Sequence, residues 1–257
     1  MRILRLVASI LLLSCVGCST LPEGQKSTAP GTGPPEIDPS TIESHAGQFD
    51  EEEPVRVAGS QKELAASAYV VAHVTEAGYV FRLDAVPVKD LVRSTNVVAL
   101  PPGGAEPEVI VVVGYDSTET SEPNGHAIGV WLEVARALRV VDPDHAVEFV
   151  ALGAEHADTG GGALGSRRLA QQLSDEGDRP AIVVVGAVSA GGTGVEVSGD
   201  GQDAVVGAAE GLGIRAEGVR VYSDTGDVFE TAGLDTTVVG GDAADAARVL
   251  LEYLSTS

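Results

Sequence analysis

Cysteine is nearly absent: the 257 residues hold two, Cys15 and Cys18, both within the first eighteen positions. The chain beyond them therefore has neither a disulfide framework nor a thiol nucleophile. Positive charge is scarce, with 16 Lys and Arg against 38 Asp and Glu for a net −22. Such a chain lacks the concentrated basic surface that displaces counterions from a phosphate backbone, so nucleic acid is not an expected partner. Aromatic residues make up only 4%, leaving Val, Ala and Gly to carry the apolar content, which suits a buried sheet under small-residue helices. After residue 20 no apolar run is long enough to span a bilayer. Histidine stops early as well: there are five, none after His156.

What the first eighteen residues do have is the layout of an export signal: Arg2 and Arg5, then the apolar run Leu6 to Leu13, then "SCVGC". The stretch "LLSCVGC" resembles a bacterial lipoprotein cleavage box, in which the cysteine becomes the lipidated N-terminus. Cys18, after Val16-Gly17, is the expected lipidation site, with Cys15 the alternative. This places the protein in the cell envelope, anchored by lipid on the extracytoplasmic side of a bacterial membrane. Residues 19–49 are rich in Pro, Gly, Ser and Thr without an apolar period, and read as a disordered tether. The acidic run at 50–53 reads as a solvated lead-in to a domain over 50–257.

From residue 55 the pattern is regular. "SQKELAASAYVVAHVTEAG" (60–78) begins with Ser60 as an N-cap, carries Glu63 three residues on and closes at Gly78, marking a capped helix. Val- and Ile-rich runs at 79–88, 96–100, 109–115, 147–153, 181–188, 194–199, 219–223 and 236–241 alternate with helical segments near 126–139, 163–175, 203–212, 228–232 and 243–255. Continuous Val/Ile runs between helices predict an α/β fold: a three-layer α/β/α domain around a mostly parallel, mixed sheet. Ligands in such sheets bind beyond the carboxyl ends of the strands, so chemistry belongs in the loops after 115, 153 and 188.

Asp116 follows one of these strands, and Glu155, His156 and Asp158 follow the next. By charge and position Asp116 and Glu155 could serve as an acid/base or metal-ligating pair, or as plain solvated carboxylates. "GGGALG" (160–165) has the letters of a dinucleotide fingerprint, but six residues separate it from its strand and no acid answers at the end of the next one. Ser189 lacks the spacing of a nucleophile elbow, and no histidine follows it. Nucleotide binding and serine hydrolysis both lose their basis.

The blocks "RVAGSQKELAASAYVVAHVTEAGY" (56–79), "STNVVAL" (94–100), "VIVVVGYDST" (109–118), "NGHAIGVWLEVARAL" (124–138), "VEFVALGAEHADTGGGALGSRRLA" (147–170) and "YSDTGDVFETAGLDTTVV" (222–239) together resemble the zinc aminopeptidases of the M28 family, in order and spacing, over nearly all of 50–257. The resemblance implies one zinc-aminopeptidase-like α/β domain whose strand-end loops hold two zinc ions, which polarise a peptide carbonyl and activate a water while a carboxylate acts as base. It also implies a set of ligand positions, and most are vacant. The family's first histidine falls on Gly114, leaving Asp116, which in the family orients it. The bridging aspartate falls on Gly125, followed by His126. The Glu-Glu pair, base then ligand, becomes Glu155-His156. The next aspartate falls near Gly186, and the last histidine is missing with its loop.

Glycine cannot replace imidazole or carboxylate at an ion that requires three or four protein ligands, so the two-zinc site cannot form and no cofactor is expected. The expected function is that of a pseudopeptidase, a lipid-anchored binding or scaffolding module with Glu155 and Asp116 as residual family positions. A peptide or protein partner would dock in a cleft left roomier by the glycines. An alternative is an active aminopeptidase with a rebuilt single zinc on His156 with His126 and Asp116, or with Asp158, Glu155 again beside it. A third expectation, a structural spacer, would leave no ligand-sized pocket at the strand ends.

Overall fold

The computed structural model describes residues 36–141, 143, 145–157 and 160–256. The signal segment, both cysteines, tether residues 19–35 and Asp158 lie outside the described residues.

Two helices open the described chain. α1 (Pro39–Gly47) is capped by Asp38, whose carboxylate accepts from Ser40 N, and runs on into a wide helical turn over Gln48–Glu52. α2 (Gln61–Glu76) is capped by Ser60, whose hydroxyl accepts from Glu63 N at 3.1 Å. The tether expected up to residue 49 is thus wrong for its last part. Ile42, Ala46 and Phe49 each keep at most 3% of their surface exposed, an apolar i, i+4, i+7 stripe that the Pro- and Ser-rich surroundings hide in sequence.

After them come β1 (Val80–Pro87), β2 (Arg93–Leu100), β3 (Val109–Gly114), α3 (Gly125–Val141), β4 (Val147–Leu152), α4 (Leu164–Glu176), β5 (Ala181–Ser189), β6 (Val195–Gly199), α5 (Gln202–Leu212), β7 (Ala216–Gly218), α6 (Asp224–Thr231), β8 (Thr236–Asp242) and α7 (Ala243–Thr256). The eight strands form one sheet in the order β1-β2-β4-β3-β5-β8-β6-β7. Its centre, β4-β3-β5-β8, is parallel, while β1, β2 and β6 add antiparallel pairings. The expected strand at 219–223 is absent. β7 ends at Gly218, and the following residues pass along the edge of β6, where Val219 N still donates to Val197 O.

Why the central strands read as unbroken Val runs is now visible. Along β3, Val109, Val111 and Val113 face one core with α2, α3 and α7, while Ile110 and Val112 face another with Leu169 and Leu173 of α4 and Phe229 of α6. Both faces exclude water, so every position must be apolar. This is the expected three-layer α/β/α domain. No helix among the described residues is long and apolar enough to cross a membrane.

Candidate functional site

The carboxyl ends of β3 and β4 stand side by side, since Gly114 pairs with Leu152. Asp116, two residues past β3, is fully buried and spans the gap: Oδ1 accepts from Glu155 N at 2.8 Å and Oδ2 from His156 N at 2.9 Å. The same Oδ1 lies 3.5 Å from His156 Nδ1, and this carboxylate raises the His156 pKa above its ordinary value. Asp116 therefore acts as a brace between two loops, with its oxygens already engaged by backbone.

Glu155 turns inward. Oε1 accepts from Ser166 N at 2.8 Å in the first turn of α4, and Oε2 accepts from the Thr225 hydroxyl at 2.6 Å at the start of α6. A carboxylate at a helix N-terminus is favoured by the exposed N–H groups and the dipole. Burial nonetheless raises its pKa, against the lowering effect of the Thr225 and Ser166 bonds. As placed, Glu155 joins α4 to α6.

The glycines at family ligand positions do not border open space. A Cβ on Gly114 would lie 3.2 Å from Glu155 Cγ, and one on Gly186 would lie 3.0 Å from Val238 Cγ1. A Cβ on Gly125 would fall 2.6 Å from the Asp50 carboxylate and 2.7 Å from Ala46 O. The roomier cleft expected from glycine substitution is therefore filled at these positions by Glu155, Val238 and the α1 segment. Asp50, in the run taken for a solvated lead-in, accepts from Gly125 N at 2.9 Å, placing its charge at the N-terminus of α3.

Beside it lies a buried cation. Arg56 is 1% exposed, and its guanidinium donates to Tyr115 O at 2.8 Å, to Phe49 O and Glu53 O at 2.5 Å each, and to Asn124 Oδ1. Asn124 in turn donates to Gly114 O and Asp116 O, both at 3.0 Å. Burial lowers the Arg56 pKa, and the charges of Asp50, Asp116 and Glu53 act the other way. An arginine clamps the strand end where the family resemblance places metal chemistry. Sequence reasoning missed Arg56, Asp50, Asn124 and Thr225, because each acts on a partner tens of residues away and no spacing rule links them.

The candidate ligands do not converge. His126 faces Glu43 at 3.3 Å and Asp50 at 3.9 Å, whereas His156 faces Asp116. Among the described residues no three His, Cys, Asp or Glu side chains form a group that could hold a metal ion. On the other side of β5, β8 passes from Asp242 directly to Ala243 of α7, leaving no loop where the resemblance puts its last histidine. The residues present do not fit a two-zinc centre. A cavity of about 300 Å³ does open beyond the ends of β5 and β8, lined by Ser189, Thr193, Glu196, Arg215 and Asp242 among others.

The α/β/α domain shares its fold with solved zinc-dependent peptidases. More particularly, the family model described as Peptidase family M28 matches residues 96–208, and that part of the chain is similar to the M28 peptidases. Three solved structures show the same fold. Porphyromonas gingivalis glutaminyl cyclase is 18% identical with a TM-score of 0.71, over 85% of this chain and 98% of that one. A leucine aminopeptidase precursor from Bacteroides thetaiotaomicron is 13% identical with a TM-score of 0.71, over 88% and 99%. The zinc aminopeptidase of Bacillus subtilis is 16% identical with a TM-score of 0.62, over 78% and 84%. No curated protein matched the sequence.

Proposed function

We propose that this chain is a lipid-anchored, extracytoplasmic pseudopeptidase, an M28-like domain that has exchanged its metal chemistry for internal packing and serves as a binding or scaffolding module. The observation that carries the reading is the filling of ligand positions by the protein itself: Asp50 and Ala46 against Gly125, Glu155 against Gly114, Val238 against Gly186. A metal would have to displace groups that now cap helices and brace loops. The cavity beyond β5 and β8 supports a binding role over a plain spacer, because a spacer has no need of a polar hollow at the strand ends. The signal-like segment ending at Cys18 supports the anchor.

The test is metal content by mass spectrometry on the purified full chain after zinc incubation and dialysis, with aminoacyl-anilide hydrolysis on the same sample. The expected result is well below a tenth of an equivalent of zinc and no turnover. About one equivalent of zinc, lost together with turnover in His156→Ala, would overturn the proposal in favour of an active single-metal aminopeptidase.

A further inference from the structure

β1 is an outer strand, and among the described residues it pairs with β2 alone. It is eight residues long and matched residue for residue over Val80–Pro87, so its other edge offers a straight row of N–H and C=O groups without a bulge to interrupt it. Apolar side chains line it. Phe81 and Leu83 stand opposite Ala99 and Val97, on the face that packs under α2, yet remain 40% and 54% exposed. Leu64 on α2 and Leu91 in the β1–β2 turn are 60% and 92% exposed. In a chain with only 4% aromatic residues, the exposed Phe81 and Leu83 on this open edge, with Leu91 in its turn, mark an interface.

We infer that the occupant is a second copy of this chain, the two β1 strands pairing antiparallel about a two-fold axis through Leu83 and joining two sheets into one. Charge selects this register. A two-fold perpendicular to the sheet keeps each side chain on its own face, so every allowed register sets one residue opposite its own copy. An axis at Arg82 or at Asp84 sets like charges face to face, and an axis at Phe81 or Ala85 sets both charges against apolar neighbours. Leu83 at the axis places each Arg82 opposite the other copy's Asp84, with Phe81 opposite Ala85 on the α2 side. Arg82 and Asp84 already share a face, Nε to Oδ1 at 2.9 Å, so the pairing closes a neutral ring of four charges. Local charge also permits contact. Over residues 80–93 Arg82, Lys89 and Arg93 exceed Asp84 and Asp90 by one positive charge, whereas the whole chain carries −22. Glu148 and Glu176 also act on Arg82, so two copies meet here with less repulsion than the rest of their surface would impose.

Leu83→Cys in the full chain tests the geometry. Residues directly opposite in an antiparallel pair have Cα atoms about 4.5–5.5 Å apart, inside the disulfide range, so mild oxidation of membranes should give mostly dimer on a non-reducing gel. Leu212→Cys, exposed on α5, and the unsubstituted chain should give little. Light scattering on the detergent-solubilised full chain tests the register: Arg82→Asp should weaken dimerisation at least tenfold, and Arg82→Asp with Asp84→Arg should restore it, circular dichroism confirming that each variant folds. A monomer at ~100 μM, equal cross-linking at positions 83 and 212, a double variant no better than the single, or a β1 edge covered by another segment or protein would each overturn the inference.

Discussion

An aspartate side chain needs room, and at position 125 the space has been taken by a neighbour's aspartate. Gly125 admits Asp50 because it has no Cβ, and its N–H then donates to the carboxylate that occupies the space. Placing an aspartate at this position should therefore damage the fold. Gly125→Asp would press Cβ against Asp50 and Ala46 and add a second negative charge at the same helix end, with a loss of about 2–4 kcal/mol in urea unfolding. Asp50→Ala in the same chain should recover part of that loss, since it removes both clash and repulsion; two independent, additive losses would show that position 125 and Asp50 do not share the space. The same logic gives Glu155 and Asp116 structural work: one caps α4 and holds Thr225, the other accepts two backbone N–H groups across the β3–β4 gap. Removing an acceptor from buried donors is costly whatever the residue once did.

At the scale of elements, α1 separates what the sequence disclosed from what it hid. The central strands and α2, α3, α4, α5 and α7 were legible, because strands buried on both faces leave unbroken Val runs and helices leave caps such as Ser60 with Glu63. α1 was not, since nine residues with Pro at the start and a single Ile give a weak local signal. Its stability comes from packing on α3 rather than from propensity. The contact is close: a Cβ on Gly129 would lie 2.7 Å from Ile42 O. The site divided in the same way. Its strand-end location could be read along the chain, but the groups that fill it, Asp50 and Arg56, arrive from a segment whose docking has no sequence periodicity. If α1 is part of the fold, Ile42→Ala should cost about 2–4 kcal/mol. Guanidinium unfolding of that variant, together with a chain shortened to begin at residue 50, measures it. Equal stability of long and short chains would mean that α1 is an ornament and that the space beside Gly125 can open.

For the molecule as a whole, charge and burial together set the pH at which it is most stable. Three buried carboxyls are raised by desolvation: Glu63, Glu155 and, to about 7, Glu148. A carboxyl whose pKa is higher folded than unfolded favours the native state when protonated, so its contribution is lost as pH rises from its ordinary value through the folded one. For Glu148 that interval runs from 4.5 to about 7. Arg82 opposes the shift, while Asp84 and Glu176 add to it. Histidine acts in the other direction. His45 is buried against Tyr69 and His73, with Nδ1 at 2.8 Å from the Tyr69 hydroxyl, and its pKa is lowered to about 4, chiefly by burial and then by His73. Its neutral form favours the fold above pH 6.5, and that contribution declines as pH falls toward 4. Between pH 7.5 and 5.5 Glu148 gains about 2 kcal/mol at most and His45 loses about 1, while Glu63 and Glu155 add to the gain and the repulsion of a −22 chain declines as carboxylates protonate. Stability should therefore rise on mild acidification, with Tm several degrees higher at pH 5.5 than at 7.5 by calorimetry. Glu148→Gln, which keeps the shape and removes the titration, should shrink that rise, and His45→Phe should enlarge it. A Tm that falls steadily from pH 7.5 to 5.5 in all three chains would show that the buried carboxyls are not the dominant titrating groups and that the histidine cluster sets the acid limit of the fold.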